Sequence, residues 1–333
     1  MDADLPADLR RGLEHLTQGQ SHRALSQRAA ALSQRYRAGG RSANAIRDQE
    51  DALAYALTRL PATYAAVAAA LSAVAQARPA FAPRTLIDVG AGPGTAAWAA
   101  AQGFATIAEI RLVDDNPPMQ ALARALLAAS DQAALRNATY ATGSLADVSA
   151  GPADLVIASY VIGELALDAL AQAAEVLWSR AGAMLVVIEP GTPAGFARIR
   201  DLRARLIARG AHVAAPCPHD AACPIAAPDW CHFARRLARS RGHQRTKGAA
   251  LAYEDEKFAY VALARAPLTR APGERSEARV LAHPRVSKAG IAAKLCTADG
   301  IITETTPRRD RPGYKARTRW RWGDAVDRTG EKG

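Results

Sequence analysis

Residues Thr85–Gly94 read TLIDVGAGPG, and this stretch decides the fold. Leu86, Ile87 and Val89 form a short apolar run suited to a buried strand. The run ends in a glycine-rich turn, Gly90-Ala91-Gly92-Pro93-Gly94, after which Thr95-Ala96-Ala97-Trp98-Ala99-Ala100 reads as a helix. Glycines there permit positive φ and let a ligand approach the backbone closely. The helix start offers N–H groups that have no partner inside the helix. A strand–turn–helix of this kind, at the carboxyl edge of a parallel sheet, is a nucleotide-type binding crevice.

The order of residues in the turn separates candidate ligands. A dinucleotide fingerprint runs G-x-G-x-x-G/A. Here glycines alternate and Pro93 occupies the phosphate turn. Counted from Asp88 the pattern is D-x-G-x-G-x-G, which resembles the first motif of class I S-adenosylmethionine (SAM) methyltransferases. SAM has no phosphate, so the loop Gly90, Ala91, Gly92 and Gly94 would lie against its amino-acid part and adenosine sugar. A carboxylate for the ribose hydroxyls is then expected about 20 residues on, at the end of the next strand. Glu109–Asp114 (EIRLVD) supplies it as Asp114. A tight turn in some other α/β protein has no need of that second carboxylate.

Outward from this point, strand and helix alternate. Strands are expected near 85–89, 109–114, 138–142, 154–159 and 183–189, with Lys257–Ala264 a strand that rejoins the sheet, and helices near 94–102, 117–129, 166–179 and 193–209. Such alternation implies a doubly wound parallel sheet. Ser144, after the third strand, falls where an adenine edge is met. Ser159 and Tyr160 leave the fourth strand where the methyl group would face. Glu164 is either a pocket residue or an acidic first-turn residue facing a helix dipole. Residues 1–80 read as helical, with Pro61 placed in the first turn of a restarted helix. The SAM-type domain is expected over 81–266 with a Cys-rich insertion at about 211–247, and a basic, β-rich element over 267–333.

The chain has 333 residues and is 49% hydrophobic, enough for a real core. No apolar run reads as long enough to span a bilayer. The first sixteen residues carry four acidic side chains, unlike a secretory or transit segment, so a cytoplasmic location is expected. The net charge of +11 is unevenly placed. Residues 1–231 hold 20 Lys+Arg against 21 Asp+Glu, whereas 232–333 hold 23 against 11. A basic excess confined to one region is an electrostatic footprint for polyanions. The Arg/Lys run Arg235, Arg236, Arg239, Arg241, Arg245 and Lys247 lies there. So does the aromatic–Arg stretch Tyr314–Gly323, which suits base stacking or an amphipathic edge strand.

All four cysteines, Cys217, Cys223, Cys231 and Cys296, lie within this last part. Four thiolates suit tetrahedral zinc or an iron–sulfur cluster. The spacing C-x5-C-x7-C lacks the C-x2-C pairs of a zinc ribbon, and sulfur softness does not choose between iron and zinc. Four buried, inert cysteines are the plainer alternative.

Taken together, the chain resembles the methyltransferase-like proteins of the mitochondrial small ribosomal subunit and their bacterial homologues. The motifs that carry the resemblance are Tyr55–Thr63 (YALTRLPAT) with Tyr64, Asp88–Gly94, and Pro216–Pro224 (PCPHDAACP). Asp229–Phe233 (DWCHF) with Arg235, Leu295–Gly300 (LCTADG) and Trp322-Gly323-Asp324 complete the set. The resemblance implies a class I SAM-methyltransferase (Rossmann-like) fold and association with the small subunit and its rRNA. It also implies a [4Fe–4S] cluster on the four cysteines, with zinc the alternative. With no targeting segment read at its start, the chain is expected to be a bacterial, cytoplasmic member.

Three functions are consistent with these residues. The first is an rRNA methyltransferase, the second a non-catalytic assembly factor using the SAM fold as a platform, and the third a small-molecule methyltransferase. The fourth-strand exit reads Ser-Tyr-Val-Ile-Gly-Glu rather than the Asn/Asp-Pro-Pro-Tyr of exocyclic-amine methylases. No general base is identified by sequence.

Overall fold

The computed structural model describes residues 4–37, 45–145, 151–239, 243–244, 246, 250–267 and 277–327. Leu86, Ile87 and Val89 are buried on both faces of β1 (Thr85–Val89), so this strand takes the centre of the sheet. It pairs in parallel with β2 (Glu109–Asp114) on one side and β4 (Ala153–Ser159) on the other. β3 (Thr139–Thr142) extends β2, and β5 (Ala181–Pro190) extends β4, again in parallel. β6 (His212–Ala215) and β7 (Phe233–Ala238) both pair with the long β8 (Tyr253–Ala264). β8 runs antiparallel and inserts between β5 and β6, giving the order β3-β2-β1-β4-β5-β8-β6. A parallel sheet ending in one reversed strand inserted between its last two neighbours is the class I SAM-methyltransferase arrangement.

Helices Thr95–Gly103, Pro117–Ala128, Leu170–Arg180 and Pro193–Ile207 follow the expected order. The helix expected from 166 begins later, because two short 3-10 turns (Ile162–Glu164 and Leu167–Ala169) precede it. Among the described residues, the helices Ala7–Thr17, His22–Arg37, Gln49–Thr58 and Leu60–Ala77 precede the sheet. Buried Asp51 ties the second to the third by accepting from Arg28 at 2.9 Å and Arg35 at 3.2 Å. Asn116 Nδ2 donates to the Ile46 carbonyl at 3.0 Å and fastens this region to the sheet domain. Leu60–Ala77 is long and apolar enough to cross a membrane, contrary to the sequence reading. Its buried face, including Tyr64, Val67 and Leu71, accounts for that composition as a core helix.

A second, antiparallel sheet contains β9 (Ala278–Val280), β10 (Arg285–Val286), β11 (Gly290–Thr297), β12 (Gly300–Pro307) and β13 (Ala325–Val326). Its small core is Ala278, Val280, Ala293, Leu295, Val326 and Trp320. The Tyr314–Gly323 stretch is therefore not a strand. It completes a helix, Arg311–Arg317, and turns so that Trp320 is buried and unavailable for stacking on a base. Of the element expected over 267–333, residues 268–276 and 328–333 lie outside the described residues.

Candidate functional site

Asp88 is fully buried at the end of β1, and its Oδ2 accepts the Ala97 N–H at 3.1 Å. A strand carboxylate thus serves one of the free N–H groups at the start of helix Thr95–Gly103, where the helix dipole favours negative charge. Asp88 Oδ1 is buried with no partner among the described residues. Burial pushes this carboxyl up to about 7, against the Ala97 hydrogen bond, and the charge of Asp114 adds to the rise.

The loop is held by its backbone. Gly90 and Ala91 N–H groups both donate to the Val113 carbonyl, at 2.8 and 3.1 Å, and Gly94 N–H donates to the Ala91 carbonyl at 2.8 Å. Gly90, Gly92 and Gly94 all have positive φ. At Gly90 the requirement is double, since an added Cβ would lie 2.5 Å from the Val161 side chain. That contact brings the loop against the exit of β4, where Ser159 and Tyr160 stand. At Gly92 an added Cβ would meet nothing within 4 Å, so this face of the loop is open.

Asp114 closes the other edge. Its Oδ2 accepts from Gly92 N at 2.8 Å and its Oδ1 from Asn116 N at 2.9 Å. The Asp115 N–H also bonds this carboxylate, which still keeps acceptor capacity for another donor. Burial raises the Asp114 carboxyl, while the Asn116, Gly92 and Asp115 N–H groups draw it back. Ser144 is exposed just beyond, joined to this edge by the Gly143 N–H bond to the Asp114 carbonyl at 3.2 Å. Tyr140 was missed by sequence reasoning; its hydroxyl donates to the Gly92 carbonyl at 2.8 Å. A tyrosine at an edge strand carries no signal of that role.

Tyr160 is the one non-glycine residue with positive φ among those described, at 59°. A bulky residue held there marks a constrained position. Its hydroxyl donates to Glu256 Oε1 at 2.8 Å, and Arg59 approaches the same oxygen at 3.2 Å. Arg59 lies inside the Tyr55–Thr63 motif, and Glu256 lies on β8. Glu164 ends a 3-10 turn and acts on the nearby Tyr55 phenol. Buried Glu189 at the end of β5 accepts Gly163 N–H at 3.1 Å, and burial raises its carboxyl to about 7.

The four cysteines form a separate site. Cys217, Cys223 and Cys231 belong to the segment between β6 and β7, and Cys296 to β11 of the second sheet. All four line one cavity of about 30 Å³, together with Arg203 and Tyr260. None is disulfide-bonded. Burial and the neighbouring sulfurs push the Cys296 thiol up to about 12, and Cys231 is raised well above an ordinary thiol for the same reasons. Among the described residues, no three His, Cys, Asp or Glu side chains converge closely enough to grip one metal ion.

The Arg run is less free than its composition suggested. Arg236 pairs with Asp255 at 2.8 Å and Arg239 with Glu254 at 2.9 Å across the β7–β8 ribbon. Arg235 stays exposed, while Arg241, Arg245 and Lys247 lie outside the described residues.

Residues 49–327 match the family model described as mitochondrial small ribosomal subunit Rsm22. The human ribosome assembly protein METTL17, mitochondrial, is 30% identical over 294 residues, which are 82% of this chain and 62% of that protein. The chain thus spans under two thirds of that relative's length. The Rsm22-cox11 tandem protein 2, mitochondrial, of Schizosaccharomyces pombe is 31% identical over 156 residues, 42% of this chain and 21% of that protein. Among solved structures, a putative RNA methyltransferase from Pyrococcus horikoshii is 11% identical, covering 62% of this chain and 84% of its own, with a TM-score of 0.40. A SAM-bound magnesium protoporphyrin IX methyltransferase from Synechocystis is 14% identical, covering 80% and 100%, with a TM-score of 0.41. Likeness at that level says nothing of what this chain binds.

The expected cytoplasmic location does not stand, because the named relatives and the family model are mitochondrial. With the family model matched over most of its length and that identity to the human protein, the chain belongs to the Rsm22 family.

Proposed function

We propose that this chain is a SAM-binding assembly protein of the small ribosomal subunit, held to its rRNA partly by the basic last third. The observation that carries the SAM reading is the Gly92–Asp114 hydrogen bond, which joins the two motif positions into one edge of the crevice. The residues fit SAM: the space beside Gly92 is open, Asp88 Oδ1 is buried without a partner among the described residues, and Asp114 keeps acceptor capacity. Asp114 would accept the ribose hydroxyls, the Gly90–Gly94 backbone would lie along the amino-acid part, and Tyr140 would hold the loop. SAM supplies a methyl group already activated on a sulfonium. Saturable binding of labelled SAM in equilibrium dialysis tests this; its absence removes the SAM reading. Membership of the Rsm22 family supports the ribosomal reading.

A second reading is favoured by Tyr160. The Tyr160–Glu256–Arg59 network ties the N-terminal helices to β8 at the exit where a methyl acceptor must enter. This supports a platform that binds SAM without transferring its methyl. Label from methyl-labelled SAM appearing in small-subunit RNA would restore the methyltransferase reading.

The cysteine cavity supports a metal–sulfur centre on Cys217, Cys223, Cys231 and Cys296. Four cysteines bordering one cavity suit a [4Fe–4S] cluster or a tetrahedral zinc ion, and the cluster is the reading that the family resemblance implies. Ligation would staple β11, and with it the second sheet, to the segment after β6, coupling metal binding to folding of that element.

A further inference from the structure

Arg203, on helix Pro193–Ile207, is 4% exposed and lines the cysteine cavity. Arg279, on β9, is 7% exposed, stands opposite Cys296 in the β9–β11 register and bonds to the carbonyl of Pro216, the residue before Cys217. Both have only neutral hydrogen-bond partners, namely carbonyls and, for Arg203, the Cys217 thiol. One Arg203 nitrogen donates to the His219 and Ala221 carbonyls, each at 2.8 Å. Arg279 donates to the Pro216 carbonyl at 2.6 Å and the Gly323 carbonyl at 2.8 Å. Among the described residues neither is within ion-pair distance of a carboxylate, although Arg28, Arg59, Arg236 and Arg239 all are.

A guanidinium cannot shed its proton in a protein, and a buried charge without a counter-charge is costly. Two such cations beside four neutral thiols would leave the pocket with buried positive charge and nothing to offset it. Four thiolates around a dicationic core form a dianion, whose charge the two arginines match. The surroundings, including Phe196, Ile199 and Ile225, are apolar, so water does little to screen the interaction.

We propose that Arg203 and Arg279 are positioning residues that act as built-in counter-charges for an anionic metal–thiolate centre in this cavity, and that they set its retention and its ease of reduction. The inference rests on the metal–sulfur reading above. Reduction adds one electron from an external one-electron donor, breaks no bond, and increases the negative charge. Fixed cations nearby therefore favour the reduced form.

The test uses the full chain, reconstituted anaerobically with ferrous iron and sulfide, as wild type, Arg203→Gln, Arg203→Lys and Arg279→Gln. Iron and sulfide content are measured, and the reduction equilibrium is titrated with dithionite by electron paramagnetic resonance. Labelled-SAM binding, which uses the Gly90–Gly94 loop and Asp114 rather than the cysteine cavity, reports whether each variant is folded. In each Gln variant the equilibrium is expected to move about tenfold against reduction, which is 59 mV for one electron. Arg203→Lys, keeping the charge without the planar fork, should recover most of that shift. Gln variants that equal wild type, or Gln and Lys variants at position 203 that behave alike, would overturn the proposal. If the wild type instead takes zinc and no iron, the iron–sulfur reading falls separately. The counter-charge proposal is then decided by zinc affinity: a tenfold loss in both Gln variants with recovery in Arg203→Lys supports it, and equal affinities refute it.

Discussion

The Gly92 backbone N–H donates to Asp114 Oδ2 across 2.8 Å, so a loop glycine and a carboxylate 22 residues apart share one edge of the crevice. The bond fixes the carboxylate orientation before any ligand arrives, and lost orientation is one of the main costs of binding. Asp114→Ala should therefore weaken SAM binding about ten- to hundredfold, the 1.5–3 kcal/mol typical of hydrogen bonds to a charged group. Calorimetric titration of folded Asp114→Ala measures this, and unchanged affinity would remove Asp114 from the site.

Gly90→Ala puts a methyl group 2.5 Å from Val161 at a φ of +67°. The strain falls where the loop meets the β4 exit, so loss of SAM binding should accompany a lower melting temperature. The double variant Gly90→Ala/Val161→Ala should recover part of the stability, because it relieves the clash but not the backbone strain. No recovery would mean that the close approach is unimportant.

The crevice was legible because its parts are local. An apolar run, three glycines and one later carboxylate each carry a periodicity or turn signal. β8 was only partly legible. Its last eight residues read as a strand, but Tyr253–Glu256 alternates charge and pairs with β7 through Arg236–Asp255 and Arg239–Glu254. Those partners neutralise two arginines, Arg236 and Arg239, of what reads as a polyanion footprint. Trp320 was misread for a related reason: in sequence an aromatic between arginines looks exposed, and only the second sheet supplies the cover that buries it. Arg203 and Arg279 give no sequence signal, since a buried arginine in a helix or strand is spelled like a surface one. Their role depends on Cys296, 79 residues beyond Cys217, folding back onto the same cavity.

Asp88 makes stability pH-dependent in a defined direction. Burial raises its carboxyl from 3.8 to about 7. Below 3.8 the folded and unfolded chains both hold the proton. Between there and about 7 the unfolded chain ionises first, so this group removes stability as pH rises. Asp88→Asn cannot ionise and can still accept the Ala97 N–H. The melting temperature of ligand-free wild type should fall relative to Asp88→Asn between pH 5 and pH 8. Glu189, raised into the same range, is present in both proteins and cancels. A constant difference between the two proteins would show that Asp88 ionises normally.

Trp320→Ala removes the largest side chain from the small core of the second sheet. Truncation of a buried Trp costs about 3–5 kcal/mol, much of what so small a core can supply. Amide exchange should accelerate across β9, β11 and β12 while β1 and β4 remain protected. Uniform acceleration through both sheets would mean that the second sheet has no separate stability.

The central claim is that this chain binds SAM and acts on the small ribosomal subunit. The most direct measurement sediments the anaerobically purified full chain, with methyl-labelled SAM, through a gradient with small subunits from cells lacking it. The account predicts that the chain travels with immature small subunits and carries bound label, whether or not label enters the RNA. A chain that remains at the top of the gradient, with or without label, would contradict it.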